Sequence, residues 1–462
     1  MKKKILIFLP DGVGLRNFAF TDFYKKMSVE NDVVFLNNTG FPLEEKLGIK
    51  EVKLNNLKTH FLTDLIKSAK NNIELKQNFK KYNNKAYLSY IFPRKSKTFK
   101  QFVKNIIINF YIIFYNYKKG VKKINNKINK LERSTETYKK SLLLLKNEKP
   151  DLVFCTNQRP ILALSTILAA KDLKIPTATF IFSWDNLPKA TLVVETDYYF
   201  VWSNFMKEEL QKYYPSIKEN QIKITGTPQF EPHFNKDLLK LKEDFFNEYK
   251  LDLNKKYICF SGDDVTTSPY DEYYLQDLAE IVQILNKEGY NLGIIYRKCP
   301  VDFTGREDEI LKKYNDIIFP INPKWENLGS SWNKVMPLKE DFNLLANTLK
   351  NSILVINIGS SMVFDAVIHN VPCAYINYNN NSVNTKLWDI NKIYKFIHFK
   401  SMPSKKAVLW VDKKSDFEKI IRNVLKNDST ILETQKWFNK ITFFPQEKAS
   451  ENIINEINKI LS

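Results

Sequence analysis

Cysteine is scarce, with four in 462 residues. Cys155, Cys259, Cys299 and Cys373 make no CxxC pair, which leaves no zinc-ribbon or thiol-redox motif. Three fall in apolar, strand-like runs and Cys299 follows one directly, the setting of buried, reduced thiols in a cytosolic chain. The four histidines, His60, His233, His369 and His398, have no metal-ligand spacing, so no bound metal is expected. Walker loop, HExxH and nucleophile elbow are all missing. The opening MKKKILIFLPDG has too short an apolar run for a signal peptide and is expected as a first strand. A membrane span needs about 20 apolar residues. The most apolar run, Phe102–Tyr117, falls short of that and contains Lys104, Asn105 and Asn109.

Acids are nearly missing from one block. Between Lys58 and Lys149 there are 5 Asp/Glu against 23 Lys/Arg, so this stretch holds +18 of the chain's formal +20. Such a face suits an anionic partner: a membrane surface, a lipid phosphate or nucleic acid. Arg94 and Arg133 are its only arginines, whereas bidentate phosphate and base contacts favour arginine, so nucleic acid is not the expected partner. Long helical patterns fill residues 59–149. Phe102–Tyr117 reads either as a buried helix or as one lying in a membrane interface, and residues 94–140 are expected to meet an anionic membrane.

The remainder, in a chain that is 44% hydrophobic, follows a βαβ rhythm. The expected architecture is two tandem doubly wound, Rossmann-like α/β domains with the basic helical insertion in the first. The first domain is expected over 1–235 with the insertion at 59–149, the second over 255–440, and a closing helix over 441–462. Sheets of this type bind ligands at the carboxyl ends of their strands, so an interdomain cleft is the expected site.

The second half is organised around Ile353–Tyr378: a buried strand, the turn Gly359-Ser360-Ser361, a helix from Met362, and a second strand from Cys373. A small-residue turn at a helix N-terminus offers free N–H groups and a partial positive charge to a phosphate. Arg297 and Lys298, past the run Leu292–Tyr296, add two cations for a diphosphate, and Gly262 with Asp263-Asp264 forms a polar turn at another strand end. Asp365 reads either as an acceptor for a sugar hydroxyl or as a partner of its own helix dipole. In the first half, Asp11-Gly12-Val13-Gly14 follows strand one. Asn17 replaces the third glycine of a dinucleotide fingerprint, so the stretch reads as a cleft loop carrying a carboxylate, with glycines free to take positive φ. Ser183-Trp184-Asp185-Asn186 is a second such loop. Either Asp11 or Asp185 can serve as general base toward an acceptor hydroxyl.

With those loops placed, the chain resembles GT-B-fold glycosyltransferases. VMPLKEDFNLLANTLKNSILVINIGSSMVFDAVIHNVPCAYINY (Val335–Tyr378) is similar to the donor-nucleotide region of that superfamily, with Asp365 where many members have Glu and Asn370 where many have Gly. Phe182–Phe234, with its Ser-Trp-Asp-Asn-Leu loop and Thr-Gly-x-Pro-x-Phe segment, resembles a bacterial group tied to capsule and lipopolysaccharide synthesis. The resemblance implies a nucleotide-sugar donor, used as substrate, with no cofactor and no metal. Its phosphates map onto Arg297, Ser360 and Ser361, and its base and ribose onto the Val335–Leu338 loop, Met336 and Leu338 included, and Asp365. A glycan or lipid-linked acceptor maps onto Asp11, Gly12, Gly14, Trp184 and Asn186. A cytoplasmic enzyme peripheral to the inner face of the cell membrane follows as an expectation. The alternatives are a CDP-glycerol- or CDP-ribitol-type phosphotransferase on the same fold and, behind it, a basic nucleic-acid-binding protein.

Overall fold

The computed structural model describes residues 2–54, 56–94, 96–327, 335–427 and 430–462. They divide into two compact units. The first comprises Met1–Gln229, Phe396–His398 and Ile441–Ser462, the second Phe230–Lys395 and Phe399–Lys440.

Unit one is built on a seven-stranded sheet, all parallel, in the order β3-β2-β1-β4-β5-β6-β7. The strands are β1 (Lys4–Leu9), β2 (Asp32–Asn37), β3 (Glu51–Lys53), β4 (Leu152–Cys155), β5 (Thr177–Phe180), β6 (Tyr198–Val201) and β7 (Ile222–Ile224). β1 is buried from Ile5 through Leu9, which is why ILIFL shows no alternation: helices cover both faces of a parallel sheet. Chain order reverses direction across the sheet between β1 and β4. The basic block leaves between β3 and β4 as the helices Thr63–Tyr82, Phe99–Tyr115, Gly120–Arg133 and Glu136–Glu148, with no strand among the described residues of the block, as their 3.6-residue pattern predicts. The closing helix Ala449–Leu461 belongs to this unit. It is fastened by Lys26–Glu451 (2.9 Å), Lys223–Glu456 (3.4 Å) and the Asn31–Asn458 amide pair (3.2 Å).

Unit two carries a six-stranded parallel sheet in the order β10-β9-β8-β13-β14-β15, with the reversal between β8 and β13. Its strands are β8 (Lys256–Ser261), β9 (Leu292–Arg297), β10 (Ile318–Pro320), β13 (Ser352–Asn357), β14 (Cys373–Ile376) and β15 (Leu409–Val411). β11 (Trp325–Asn327) and β12 (Val335–Pro337) form a separate antiparallel pair. Lys334, expected to begin that last strand, lies outside the described residues. The central strands bury Ile258, Phe260, Ile294, Leu354 and Ile356 completely.

Three boundaries differ from the sequence expectation. The first unit ends at Gln229, six residues before 235. Residues 396–398 return to it from within the second domain's span. Pro10–Asn17, expected as a loop, turns into a helix at Val13 (Val13–Phe18), because Asp11 Oδ1 accepts from the Val13 N–H at 3.2 Å and starts the first turn. The cysteines are free; burial pushes the Cys155 and Cys259 thiols up to about 12, which keeps them protonated and inert at neutral pH. Among the described residues no helix is long and apolar enough to cross a membrane.

Candidate functional site

Each sheet presents its loops where chain order reverses, the position at which doubly wound sheets bind ligands. In unit one that point lies between the carboxyl ends of β1 and β4, and it joins Asp11 to Asn157. Asn157 Nδ2 donates to Asp11 Oδ2 at 3.0 Å and to Oδ1 at 3.3 Å, and Asn157 Oδ1 accepts from the Arg159 N–H at 3.0 Å. Burial raises the Asp11 pKa above its ordinary value, against the opposing pull of Asn157, the Val13 N–H and the Arg159 guanidinium. A carboxylate whose proton affinity has been raised, and which keeps its hydrogen-bond geometry, is suited to take a proton from a hydroxyl. The Arg159 guanidinium itself lies over the Phe182 ring, 5.4 Å from its centre.

Asp185 sits in a different environment. Ser183 Oγ donates to its Oδ1 at 2.6 Å, Asn186 Nδ2 donates to the same oxygen at 2.8 Å, and Lys189 forms an ion pair with Oδ2. Burial acts to raise its pKa, but the Lys189 and His398 charges and the Lys189 and Ser183 hydrogen bonds outweigh that and hold the carboxyl well below the usual carboxylate range. Such a group stays ionised and holds protons poorly, so of the two expected bases Asp11 is the one with suitable chemistry.

The neighbouring residues turn inward. Asn186 is buried and its Oδ1 accepts from Gln158 Nε2 at 2.9 Å. Trp184 is 4% exposed and stands edge-on to His398, 5.0 Å between ring centres. These two shape the loop from within. The glycine reading also changes. Gly12 has φ −71°, and neither it nor Gly14 takes a positive φ. A Cβ on Gly14 would lie 2.3 Å from Thr156 Oγ1 and 2.7 Å from Leu9 Cδ2, so glycine is required there for close packing of the helix on β4.

In unit two the reversal lies between β8 and β13, and the Gly262 and Gly359 turns leave from there. Gly359 has φ +70° and a Cβ on it would lie 2.8 Å from Phe399 Cζ, so the turn requires glycine twice over. Ser360 Oγ accepts from the Met362 N–H at 3.3 Å, and Asn357 Oδ1 accepts from the Ser360 N–H at 2.9 Å. Ser361 is exposed at the head of the helix Met362–Ile368. Asn370 takes φ +59°, the left-handed conformation that asparagine tolerates and glycine adopts at no steric cost.

Both expected cations are already paired. Arg297 is 6% exposed, and its NH2 donates to Asp341 Oδ1 and Oδ2 at 3.0 and 2.8 Å. Asp341 also accepts from the Lys324 N–H (2.9 Å) and Trp325 Nε1 (2.8 Å), which fixes the start of the helix Glu340–Lys350. Lys298 forms an ion pair with buried Glu307. The Gly262 side is acidic: the Asp263 N–H donates to Asp271 Oδ2 at 2.5 Å, and Arg306 lies among Asp271 (3.9 Å), Glu272 (3.6 Å) and Asp302 (3.0 Å). Burial, then the Asp271 and Asp264 charges, raise the Asp263 pKa well above its ordinary value. Carboxylates thus crowd the Gly262 side, which is a poor setting for an anion. Met336 and Val335 are buried in β12, with Leu338 half-buried just beyond it.

Asp365 belongs to a chain that sequence spacing does not reveal. His233 Nε2 lies 2.9 Å from Asp365 Oδ1, and His233 Nδ1 lies 3.0 Å from His369 Nε2. Burial, and then His233, push the His369 pKa down to about 4, against the pull of Asp365. His233 and Asp365 are 132 residues apart, so a search for local ligand spacing passes over them.

Two doubly wound domains, each with its ligand loops at a topological reversal, define an α/β protein of the GT-B fold. No family model and no curated protein sequence matches the chain. Solved structures match along its whole length. An enzyme from Listeria monocytogenes assigned as a UDP-N-acetylglucosamine 2-epimerase has a TM-score of 0.57 at 11% identity, covering 100% of this chain and 97% of its own. A second UDP-N-acetylglucosamine 2-epimerase gives 0.54 at 12% identity, covering 99% and 96%. S. aureus MnaA, in a co-structure with UDP, gives 0.52 at 12% identity, covering 99% and 97%. At such identities the likeness is one of fold.

Proposed function

We propose that this protein is a metal-independent glycosyltransferase that moves a sugar from a nucleotide-sugar donor to a glycan or lipid-linked acceptor in bacterial surface-glycan synthesis. It works in the cytoplasm at the inner face of the cell membrane, against anionic lipid. The observation that carries the chemistry is Asp11 at the β1/β4 reversal, with burial raising its pKa and Asn157 orienting it. In this reading Asp11 takes the proton of the acceptor hydroxyl, and the hydroxyl oxygen forms the new bond to the anomeric carbon. The bond from that carbon to the diphosphate oxygen breaks, and the Ser361 N–H, with the Ser360 and Ser361 hydroxyls, holds the charge that leaves on the nucleoside diphosphate.

A nucleotide-sugar epimerase is the second reading, because similar folds include UDP-N-acetylglucosamine 2-epimerases and one of the similar structures holds UDP. The resemblance of Phe182–Phe234 to surface-polysaccharide proteins and the basic block between Lys58 and Lys149 favour the transferase. A CDP-activated glycerol or ribitol donor stands as the nearest variant and is separated by the choice of donor.

Donor binding provides the first test. Placing a carboxylate at the turn, Ser361→Glu, is expected to weaken binding of the preferred nucleoside diphosphate at least about tenfold, since like charges meet at close range. Calorimetry reads the affinity and a thermal melt confirms the fold, which an exposed position leaves intact. Unchanged affinity would remove the diphosphate from this turn.

A further inference from the structure

The helix Phe99–Tyr115 has two apolar faces, and the fold uses only one. Ile108, Tyr111 and Ile112 are buried against Ile66, Ala69 and Ile73 of the preceding helix and Ile124 and Ile128 of the following one. On the other side Phe99, Phe102, Ile106, Phe110, Ile113 and Phe114 are 82%, 52%, 51%, 49%, 76% and 60% exposed. At about 100° per residue these six fall within an arc of about 120°, a continuous outward stripe. Phe110 and Phe114 touch each other, 4.3 Å between ring centres. The helix start is well defined: Thr98 Oγ1 accepts from the Gln101 N–H at 3.2 Å and Gln101 Oε1 accepts from the Lys97 N–H at 2.9 Å.

The surroundings of this stripe carry one sign of charge. No Asp or Glu occurs between Glu74 and Glu132, an interval that holds 15 Lys/Arg. Arg94, Lys97, Lys100 and Lys104 are exposed near the N-terminal end of the helix, and Lys118, Lys119, Lys122 and Lys123 beyond its C-terminal end. Arg94 NH2 donates to Asn109 Oδ1 at 2.7 Å, which folds its segment along the polar edge of the helix. At about 1.5 Å per residue the helix is about 25 Å long, shorter than a bilayer's hydrocarbon core of about 30 Å.

We infer that the helix Phe99–Tyr115 lies flat in the surface of an anionic lipid bilayer, its aromatic stripe inserted among the acyl chains and the flanking cations on the lipid phosphates. This rests on the membrane-peripheral part of the function proposed above, and adds the helix, its orientation and the face that enters the lipid. A second copy of the chain on the same stripe would bring two dense positive surfaces together. Duplex nucleic acid offers no apolar surface to six exposed apolar side chains. A bilayer supplies hydrocarbon and anionic phosphate in the spatial order the helix displays.

Flotation of the full chain with phosphatidylcholine vesicles, with and without phosphatidylglycerol, tests this. The wild type is expected to float with the anionic vesicles. The triple variant Phe102→Ser, Ile106→Ser, Phe110→Ser should lose at least about tenfold in partitioning even at low salt, through the lost apolar contact. In a Phe110→Trp variant the indole emission should shift blue on vesicle addition. Failure of the wild type to float, equal binding by the triple variant, or a dimer in light scattering that the triple variant abolishes without any vesicle binding would each overturn the inference. Nucleoside diphosphate affinity, measured by calorimetry without vesicles, separates the two proposals: a triple variant that stops floating but still binds nucleotide leaves the donor site untouched.

Discussion

Asp11→Asn is expected to lower turnover by about 10²–10⁴-fold, the range of a lost general base, while nucleotide affinity stays within a factor of about two. The amide retains the shape of the carboxylate and one oxygen for the Val13 N–H, so the helix start at Val13 survives. What it loses is the ability to accept a proton. A pH profile adds a second readout. The wild-type base must be ionised, and burial holds its pKa above the ordinary carboxylate value. Activity should therefore be full on the alkaline side and fall as pH drops through that raised pKa, higher than an exposed aspartate would give. Asp185→Asn is the control. Asp185 is held ionised by Lys189 and by the Ser183 and Asn186 hydrogen bonds, so its replacement should loosen the loop without moving the acid limb. If Asp185→Asn abolished the acid limb and Asp11→Asn kept full rate, the roles would be reversed.

The second large effect concerns Arg297, and it is one of stability. Arg297→Ala is expected to destabilise unit two by about 3–5 kcal/mol, because it leaves the Asp341 carboxylate buried without its cation. Asp341 side-chain exposure is 11% and that of Arg297 is 7%, so water does little to replace the lost partner. Three elements depend on this carboxylate: β9 through Arg297, the Lys324-Trp325 segment through two hydrogen bonds, and the helix at Glu340. Denaturant unfolding should show the loss. The double variant Arg297→Ala, Asp341→Asn should recover part of it, since the uncompensated charge is then gone. A stable Arg297→Ala protein with weakened nucleotide binding would instead restore Arg297 to the donor phosphates, as the sequence alone suggests.

That contrast marks where sequence reading succeeds and where it stops. Strands such as Leu292–Arg297 and Lys256–Ser261 are legible because parallel strands covered on both faces leave unbroken apolar runs. The basic helices are legible through their periodicity, and the Gly359 turn through the backbone conformation that only glycine adopts freely. The left-handed φ of +59° at Asn370 came only with the structure. Side-chain partners are another matter. Arg297 and Asp341 are 44 residues apart, and His233 and Asp365 are 132 apart. Nothing local distinguishes a cation awaiting a phosphate from one already neutralised by a carboxylate across the fold. The Asp-Gly of Asp11-Gly12 illustrates the same limit at short range, since a turn signal and a helix start use the same residue types. The stripe on Phe99–Tyr115 shows it once more. Apolarity on more than one face says that the helix is not freely solvated, and only the packed neighbours show which face is left uncovered.

Product analysis of the wild-type protein is the most direct test. UDP-, GDP- and CDP-activated donors are each incubated with the protein, with and without an anionic-lipid extract supplying lipid-linked acceptor, and the products are followed by NMR. The expected result is acceptor-dependent release of one nucleoside diphosphate, with the sugar transferred to the lipid fraction, the unreacted donor unaltered, and the release lost in Asp11→Asn. Appearance of an epimeric nucleotide sugar with no nucleotide release, or turnover of no donor at all, would contradict it.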